Sequence, residues 1–359
     1  MTYYILPLLL AFGLAYFLTM AVRVLAFKVG AVDHPNARKV HSGVMPRMGG
    51  LAVFLAFALV TLLFREVTQQ VWGLLAGALV ILCAGIVDDI RELSPKAKLV
   101  AQIIAVLVII PFGIQVHFIT NPLNGEMIYL GLFSIPVTIF WVVAVTNAVN
   151  LIDGLDGLAS GVSCIAVLTM ATVTWVQFGA SGKESIMLAL TLAAALIGFL
   201  RHNFFPAKIF LGDTGSMFLG FALAVMAITG VTKSAAAVSV IIPLVILGVP
   251  LLDTFFAVIR RYNEHKPIFQ PDKAHLHHRL MALGLSHKQT VLVIYGISIV
   301  LGFSAIVLNI ISSSQAIIML ILLVVAVIYL ADRIGILGKS RHTNYNLTTE
   351  EYKQRSSKM

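Results

Sequence analysis

Apolar runs of about 20 residues, each long enough to cross a hydrocarbon core about 30 Å thick, constrain this chain more than any other feature. Eleven can be marked, at roughly 3–22, 48–64, 71–87, 99–116, 132–149, 159–178, 185–200, 214–230, 237–257, 290–308 and 316–332. They predict an all-α, polytopic integral membrane protein, with residues 1–332 as one transmembrane domain and 333–359 as a polar cytoplasmic tail. At 59% hydrophobic and 11% charged, with mean hydropathy +0.96, the chain has too little polar surface to cover a soluble globule. Cys83 and Cys164 both lie inside apolar runs, which argues against a disulfide framework or a thiolate metal site.

The basic residues orient the bundle. No Lys or Arg precedes the first run, and Arg23 and Lys28 follow it. That order is wrong for a cleaved signal peptide and right for a first span with its N-terminus outside. If the loops then alternate, all Lys and Arg except Arg65, Lys183 and Lys233 fall on the cytoplasmic side, and so does the C-terminus. The net charge of +9 therefore sits on one face, where topology and attraction to anionic lipid explain most of it. The lipid bilayer is the expected partner; nucleic acid is not needed to account for the charge.

Against this background the stretch NAVNLIDGLDGL, residues 147–158, stands out. It places Asn147, Asn150, Asp153 and Asp156 three residues apart, a slowly spiralling stripe if the segment is helical. Gly154 and Gly157 follow the aspartates, so the helix is expected to loosen here and let backbone and carboxylates approach a ligand. Oxygen donors at a helix end suit a hard divalent cation such as Mg²⁺. The alternative is a hydrated cap and turn between two membrane helices.

The other aspartates at the ends of the runs fall on the same side. Asp88 and Asp89 close the third run, Asp213 precedes the eighth, and Asp253 lies near the inner end of the ninth. An ionised side chain at the bilayer centre costs at least about 2.5–3.5 kcal/mol, so carboxylates at span ends read as lining a wet, interfacial site. Asp88 and Asp89 would point about 100° apart on a helix, so different roles are expected for them. For Asp253 the expected partner is Arg260, seven residues on and nearly on the same helical face, or a basic residue from another loop.

The inner loops carry the cations. The first, KVGAVDHPNARKVHSGVMPRMGG, holds Asp33, Arg38, Lys39, His41 and Arg47 ahead of two glycines, and suits either an anionic ligand or lipid headgroups. The second, VDDIRELSPKAK, sets Arg91, Lys96 and Lys98 beside the two carboxylates. In the fourth, Asp213 is flanked by Gly212 and Gly215, where an ordinary helix N-cap is the competing role. The fifth contains His275, His277, His278 and Arg279 within one turn. With no cysteine and no HExxH, imidazoles and a guanidinium donating to phosphate oxygens fit better than zinc.

Taken in order and on alternating inner loops, VDDIRELSPKAK, NAVNLIDGLDGL, FLGDTGS and AHLHHRL resemble the polyprenyl-phosphate N-acetylhexosamine-1-phosphate transferases, over almost the whole chain. HLHHRL and RKVHSGVMPRMGG resemble the UDP-GlcNAc:undecaprenyl-phosphate branch, which starts teichoic-acid linkage units and O-antigen or enterobacterial-antigen chains. The resemblance implies transfer of sugar 1-phosphate from UDP-GlcNAc to undecaprenyl phosphate with release of UMP, at the cytoplasmic face of a bacterial inner membrane. It implies Mg²⁺, with Mn²⁺ as an alternative, held by Asp213 and Asn150. The catalytic set is then Asp88, Asp89, Asp153 and Asp156, with Asp88 the leading general base or nucleophile. Substrate would be bound by Lys39, Arg47, Lys96, Lys98, Asn147, His275, His277, His278 and Arg279. A homodimer is compatible with this reading. Two rivals from other classes are an intramembrane aspartyl protease, from the triplet Asp213-Thr214-Gly215, and a transporter. The first leaves the cationic loops without purpose, and the second conflicts with the one-sided placement of the aspartates.

Overall fold

Helices follow the apolar runs, and their ends follow the capping residues between them. The computed structural model describes residues 2–34, 43–121, 126–231, 241–263 and 275–334. The long helices are α1 (Thr2–Val29), α2 (Gly49–Phe64), α3 (Gln69–Arg91), α4 (Pro95–Ile109), α5 (Ser134–Ile152), α6 (Leu158–Phe178), α7 (Lys183–Asn203), α8 (Gly212–Met226), α10 (Gly248–Asn263), α12 (His287–Ile310) and α13 (Ser313–Arg333). Short α9 (Ile241–Ile246) and α11 (Leu276–Ala282) complete the set. Thr68 and Ser94 cap α3 and α4 with their side chains, and Pro95 takes the first position of α4, where its missing N–H costs nothing. Ser286 and Gln289 form a reciprocal capping box at the start of α12.

A helix stands at each of the eleven predicted positions. Among the described residues, eight stretches are long and apolar enough to cross a membrane, one of which, 158–203, comprises α6 and α7 joined by a tight turn at Gly179–Gly182. The remaining positions depart from the simple span. Helix α2 has only 16 residues, and the predicted run 237–257 is divided at Leu247 into α9 and α10. Pro243, Gly248 and Pro250 around that break remove backbone donors and helix propensity. Two antiparallel ribbons decorate the bundle: β1 (Val32–Asp33) with β2 (Met45–Pro46), and β3 (Phe118–Thr120) with β4 (Met127–Tyr129).

Helix α8 is the pillar. Every residue from Thr214 to Met226 is buried, against α2, α3, α5 and α6. In lipid, apolar surface alone does not drive helices together, so close backbone approach and polar contacts have to. Gly50 of α2 lies against the backbone of Gly215, and a Cβ at Gly85 of α3 would meet the backbone of Thr214. These two contacts bring the start of α8 against the start of α2 and the end of α3. The ends of α5 and α7 and the starts of α4 and α6 reach the same level: Asn150 and Lys98 both contact Asp213, and Ser160 donates to Asn203 at 2.8 Å. At the opposite end, Arg65 pairs with Glu184 at 2.5 Å, tying the end of α2 to the start of α7.

Candidate active site

The third run continues as helix through Arg91, so Asp88 and Asp89 are fixed on its last turn and not left in a loop. Their directions differ, as the 100° offset requires. Asp88 is buried, accepts a hydrogen bond from the Leu93 amide at 2.7 Å, and pairs with Lys98 Nζ at 2.8 Å. Lys98 also reaches Asp213 at 2.8 Å, so one ammonium bridges carboxylates from α3 and α8. Asn150, from the last turn of α5, donates from Nδ2 to the other oxygen of Asp213 and to Ser216 Oγ, the latter at 2.8 Å.

Asp89 turns instead to the start of α8. It accepts from the backbone N–H of Asp213 at 2.9 Å, from the Thr214 N–H at 3.1 Å and from the Thr214 hydroxyl at 2.6 Å. These are orphan donors of a helix N-terminus, and a carboxylate there also meets the positive end of the helix dipole. Gly212 permits the geometry: its φ of +73° is left-handed, and a Cβ would lie 2.5 Å from an Asp89 oxygen. Oxygens of Asp88, Asp89 and Asp213 all lie within 4.8 Å of one another.

Helix α5 ends at Ile152, so the expected stripe is helical only as far as Asn150, and Asp153 and Asp156 stand on the turn that follows. Asp153 lines a cavity of about 650 Å³ that opens beside Asp213. Burial holds its carboxyl well above the usual carboxylate range, reinforced by the negative charge of Asp213 and Asp89 and opposed by Arg47. Asp156 lines the same cavity and accepts from the Ala207 amide at 2.9 Å. Asn147 lies one turn deeper, in a reciprocal amide pair with the buried Gln102 of α4, whose Oε1 accepts from Asn147 at 2.7 Å.

The cationic residues divide. Arg47 lines the cavity and pairs with Asp33 at 2.7 Å across the β1–β2 ribbon. Lys96 is exposed on the first turn of α4, while Lys39, with Arg38 and His41, lies outside the described residues. Of the three histidines, only His278 lines the cavity. His275 binds Asp253 at 2.9 Å, and the Leu276 amide donates to the other oxygen of Asp253 at 2.8 Å. Of the two partners expected for this carboxylate, Arg260 or a basic residue from another loop, the structure shows the second, and the contact anchors the start of α11. His277 packs over Gly154, and burial followed by the charge of His278 pushes its imidazole down to about 3, so it stays neutral near pH 7. Arg279 is half-buried, and its Nε has no hydrogen-bond partner among the described residues.

The sequence reading missed two side chains of this wall. His287, first residue of α12, accepts from the Asp156 amide at 3.0 Å, and Phe205 packs on its ring at 4.6 Å; both line the cavity. The available signal was a histidine inside a capping box on the face that carries the acids.

An acid cluster bridged by lysine at the mouth of a membrane bundle, beside a cavity lined by Arg47, Asn150 and His278 as well as apolar side chains, is equipped for phosphate chemistry. Residues 71–231 match the family model described as Glycosyl transferase family 4. The chain belongs to this family and is an integral-membrane phosphoglycosyl transferase. It is 41% identical over 325 residues to the probable undecaprenyl-phosphate N-acetylglucosaminyl 1-phosphate transferase of Bacillus subtilis, covering 90% of this chain and 89% of that one. It is 35% identical to the decaprenyl-phosphate N-acetylglucosaminephosphotransferase of Mycobacterium tuberculosis, over 79% and 76% of the two chains. The undecaprenyl-phosphate alpha-N-acetylglucosaminyl 1-phosphate transferase of Salmonella typhi is 30% identical, over 76% and 75%.

Proposed function

We propose that this chain transfers GlcNAc-1-phosphate from UDP-GlcNAc to undecaprenyl phosphate, releasing UMP and forming undecaprenyl-pyrophosphoryl-GlcNAc, the first membrane step of a cell-envelope glycopolymer. The observation that carries the reading is Lys98 held between Asp88 and Asp213 at the edge of the cavity, in a chain 41% identical to a transferase of that name. The one-sided distribution of Lys and Arg supports eleven crossings, an outside N-terminus and a site at the cytoplasmic face, where a soluble nucleotide sugar is at hand.

The donor set suits a hard divalent cation, Mg²⁺ or Mn²⁺: carboxylate oxygens from α3 and α8 within 4.8 Å, with the Asn150 amide beside them and no thiolate. Asp213 and Asp88 would hold it, with Asn150 orienting Asp213. When bound, the ion neutralises the donor pyrophosphate and stabilises the UMP leaving group. Asp89 has its oxygens committed to the start of α8, so it positions Asp213 and takes no direct part. Lys98 and Arg47 supply positive charge to the phosphates of donor and acceptor. A lipid phosphate has its second pKa near 6, so it is already largely dianionic near neutral pH and needs little help from a base. In-line attack of that oxygen on the β-phosphorus therefore suits the site better than a covalent aspartyl intermediate. Asp88 then serves as a ligand and is needed neither as base nor as nucleophile.

The test is transfer of radiolabel from UDP-GlcNAc to undecaprenyl phosphate by the purified chain, with and without EDTA. Label in the lipid fraction, equimolar UMP, and loss on chelation reversed by Mg²⁺ or Mn²⁺ are expected. Absence of lipid-linked label with either ion overturns the reading.

A further inference from the structure

Helix α12 grips the turn after α5 at two points. Eight residues apart on α12, His287 Nε2 accepts from the Asp156 amide at 3.0 Å, and the Tyr295 hydroxyl donates to the Gly157 carbonyl at 2.5 Å. Asp156 in turn holds the Ala207 amide, and Ala207 belongs to the segment that leads into Asp213. A nitrogen that accepts from an amide carries no proton, so the imidazole is neutral with its hydrogen on Nδ1. That Nδ1 is buried and has no hydrogen-bond partner among the described residues. The bond through Nε2 is thus the one that fixes the ring, with Phe205 packed against its face. The consequences reach the cavity wall, because Asp153, Gly154, Asp156, Phe205 and Ala207 all line it.

We infer that His287 is a positioning residue for the nucleotide-sugar side of the site: through the Asp156 amide it sets the backbone of the Asp153–Gly157 turn and makes no bond to substrate itself. The assignment of the cavity to the UDP-sugar rests on the function proposed above; the tether does not.

Two amide side chains separate positioning from contact. Glutamine places an acceptor oxygen about where Nε2 lies, whereas asparagine reaches only to the position of Nδ1. In the full-length protein in detergent, His287→Ala and His287→Asn should raise the KM for UDP-GlcNAc about fivefold or more, the scale of one hydrogen bond, with the KM for undecaprenyl phosphate within about twofold of the parent. Hydrogen exchange in peptides covering residues 153–158 should speed up in both. His287→Gln should restore both the KM and the protection. Three results would overturn the inference: glutamine no better than alanine, asparagine restoring the KM, or a lowered melting temperature with donor KM and exchange unchanged. Should the parent transfer nothing from UDP-GlcNAc, the proposed function fails, and the exchange comparison alone still decides whether the tether exists.

Discussion

Replacing Asp89 by Asn separates a carboxylate that acts in chemistry from one that holds a helix. Asp89 serves three donors, with Oδ1 facing the Asp213 amide and Oδ2 facing the Thr214 amide and hydroxyl. An amide in its place keeps one acceptor oxygen. The better orientation leaves that oxygen on Thr214 and turns N–H toward the N–H of Asp213, so one charge-assisted bond is lost and a buried donor goes unpaired. Such a loss costs about 1.5–3 kcal/mol. Removing negative charge from the first turn of α8 adds about 0.3–1 kcal/mol. The sum, about 2–4 kcal/mol, should lower the melting temperature by about 3–5 °C in a chain of this size. The assay is thermal unfolding in detergent micelles alongside turnover of the protein that remains folded. Because Asp213 sits on the displaced turn, turnover should fall as well. An unchanged melting temperature with abolished turnover would refute the argument and move Asp89 from support to chemistry.

Asp213→Asn should reduce turnover by about 10² to 10³, the range for losing a preorganised electrostatic contact, without unfolding the protein; near-parental turnover in purified protein would remove Asp213 from the site. His277 titrates near 3 when folded and near 6.5 when unfolded, so the unfolded chain takes up the proton first as pH falls. Its contribution is intact above about pH 6.5 and is lost toward pH 3, at up to about 1.4 kcal/mol per pH unit. A melting curve against pH should therefore be flatter in that window for His277→Gln than for the parent, and identical slopes would contradict the buried neutral ring. Gly161→Ala puts a methyl group into the Tyr295 ring and should cost about 1–3 kcal/mol through overpacking, and much less in a Tyr295→Ala background; an unaffected melting temperature would show that the ring moves freely.

What could be read in advance was the material and the face. Apolar runs located the helices because length and polarity suffice in a bilayer, and the acids at their ends marked the end where α3, α5 and α8 meet. Partnership was harder to read. The 100° offset predicts that Asp88 and Asp89 differ, but not that one faces Lys98 and the other a helix terminus, since that depends on where α8 crosses α3. Asn147 shows the same limit: its partner Gln102 lies 45 residues away on α4 and carries no motif. For Asp253 the sequence left two partners open, Arg260 on its own helix or a basic residue from another loop, and only the structure decides for His275 and the Leu276 amide beyond the loop. Helical periodicity reports neighbours on one element, and these contacts run between elements.

The burial of α8 bears on how the protein is made. Of the eight stretches able to cross a membrane, the one containing α8 is the least apolar, and the helix has almost no surface left for lipid. Such a segment gains little by leaving the translocon for bare hydrocarbon. Helices α2, α3, α5 and α6, which enclose it, all precede it in the chain. The ribosome therefore delivers α8 after its socket has been synthesised, and vectorial synthesis spares it a residence in lipid.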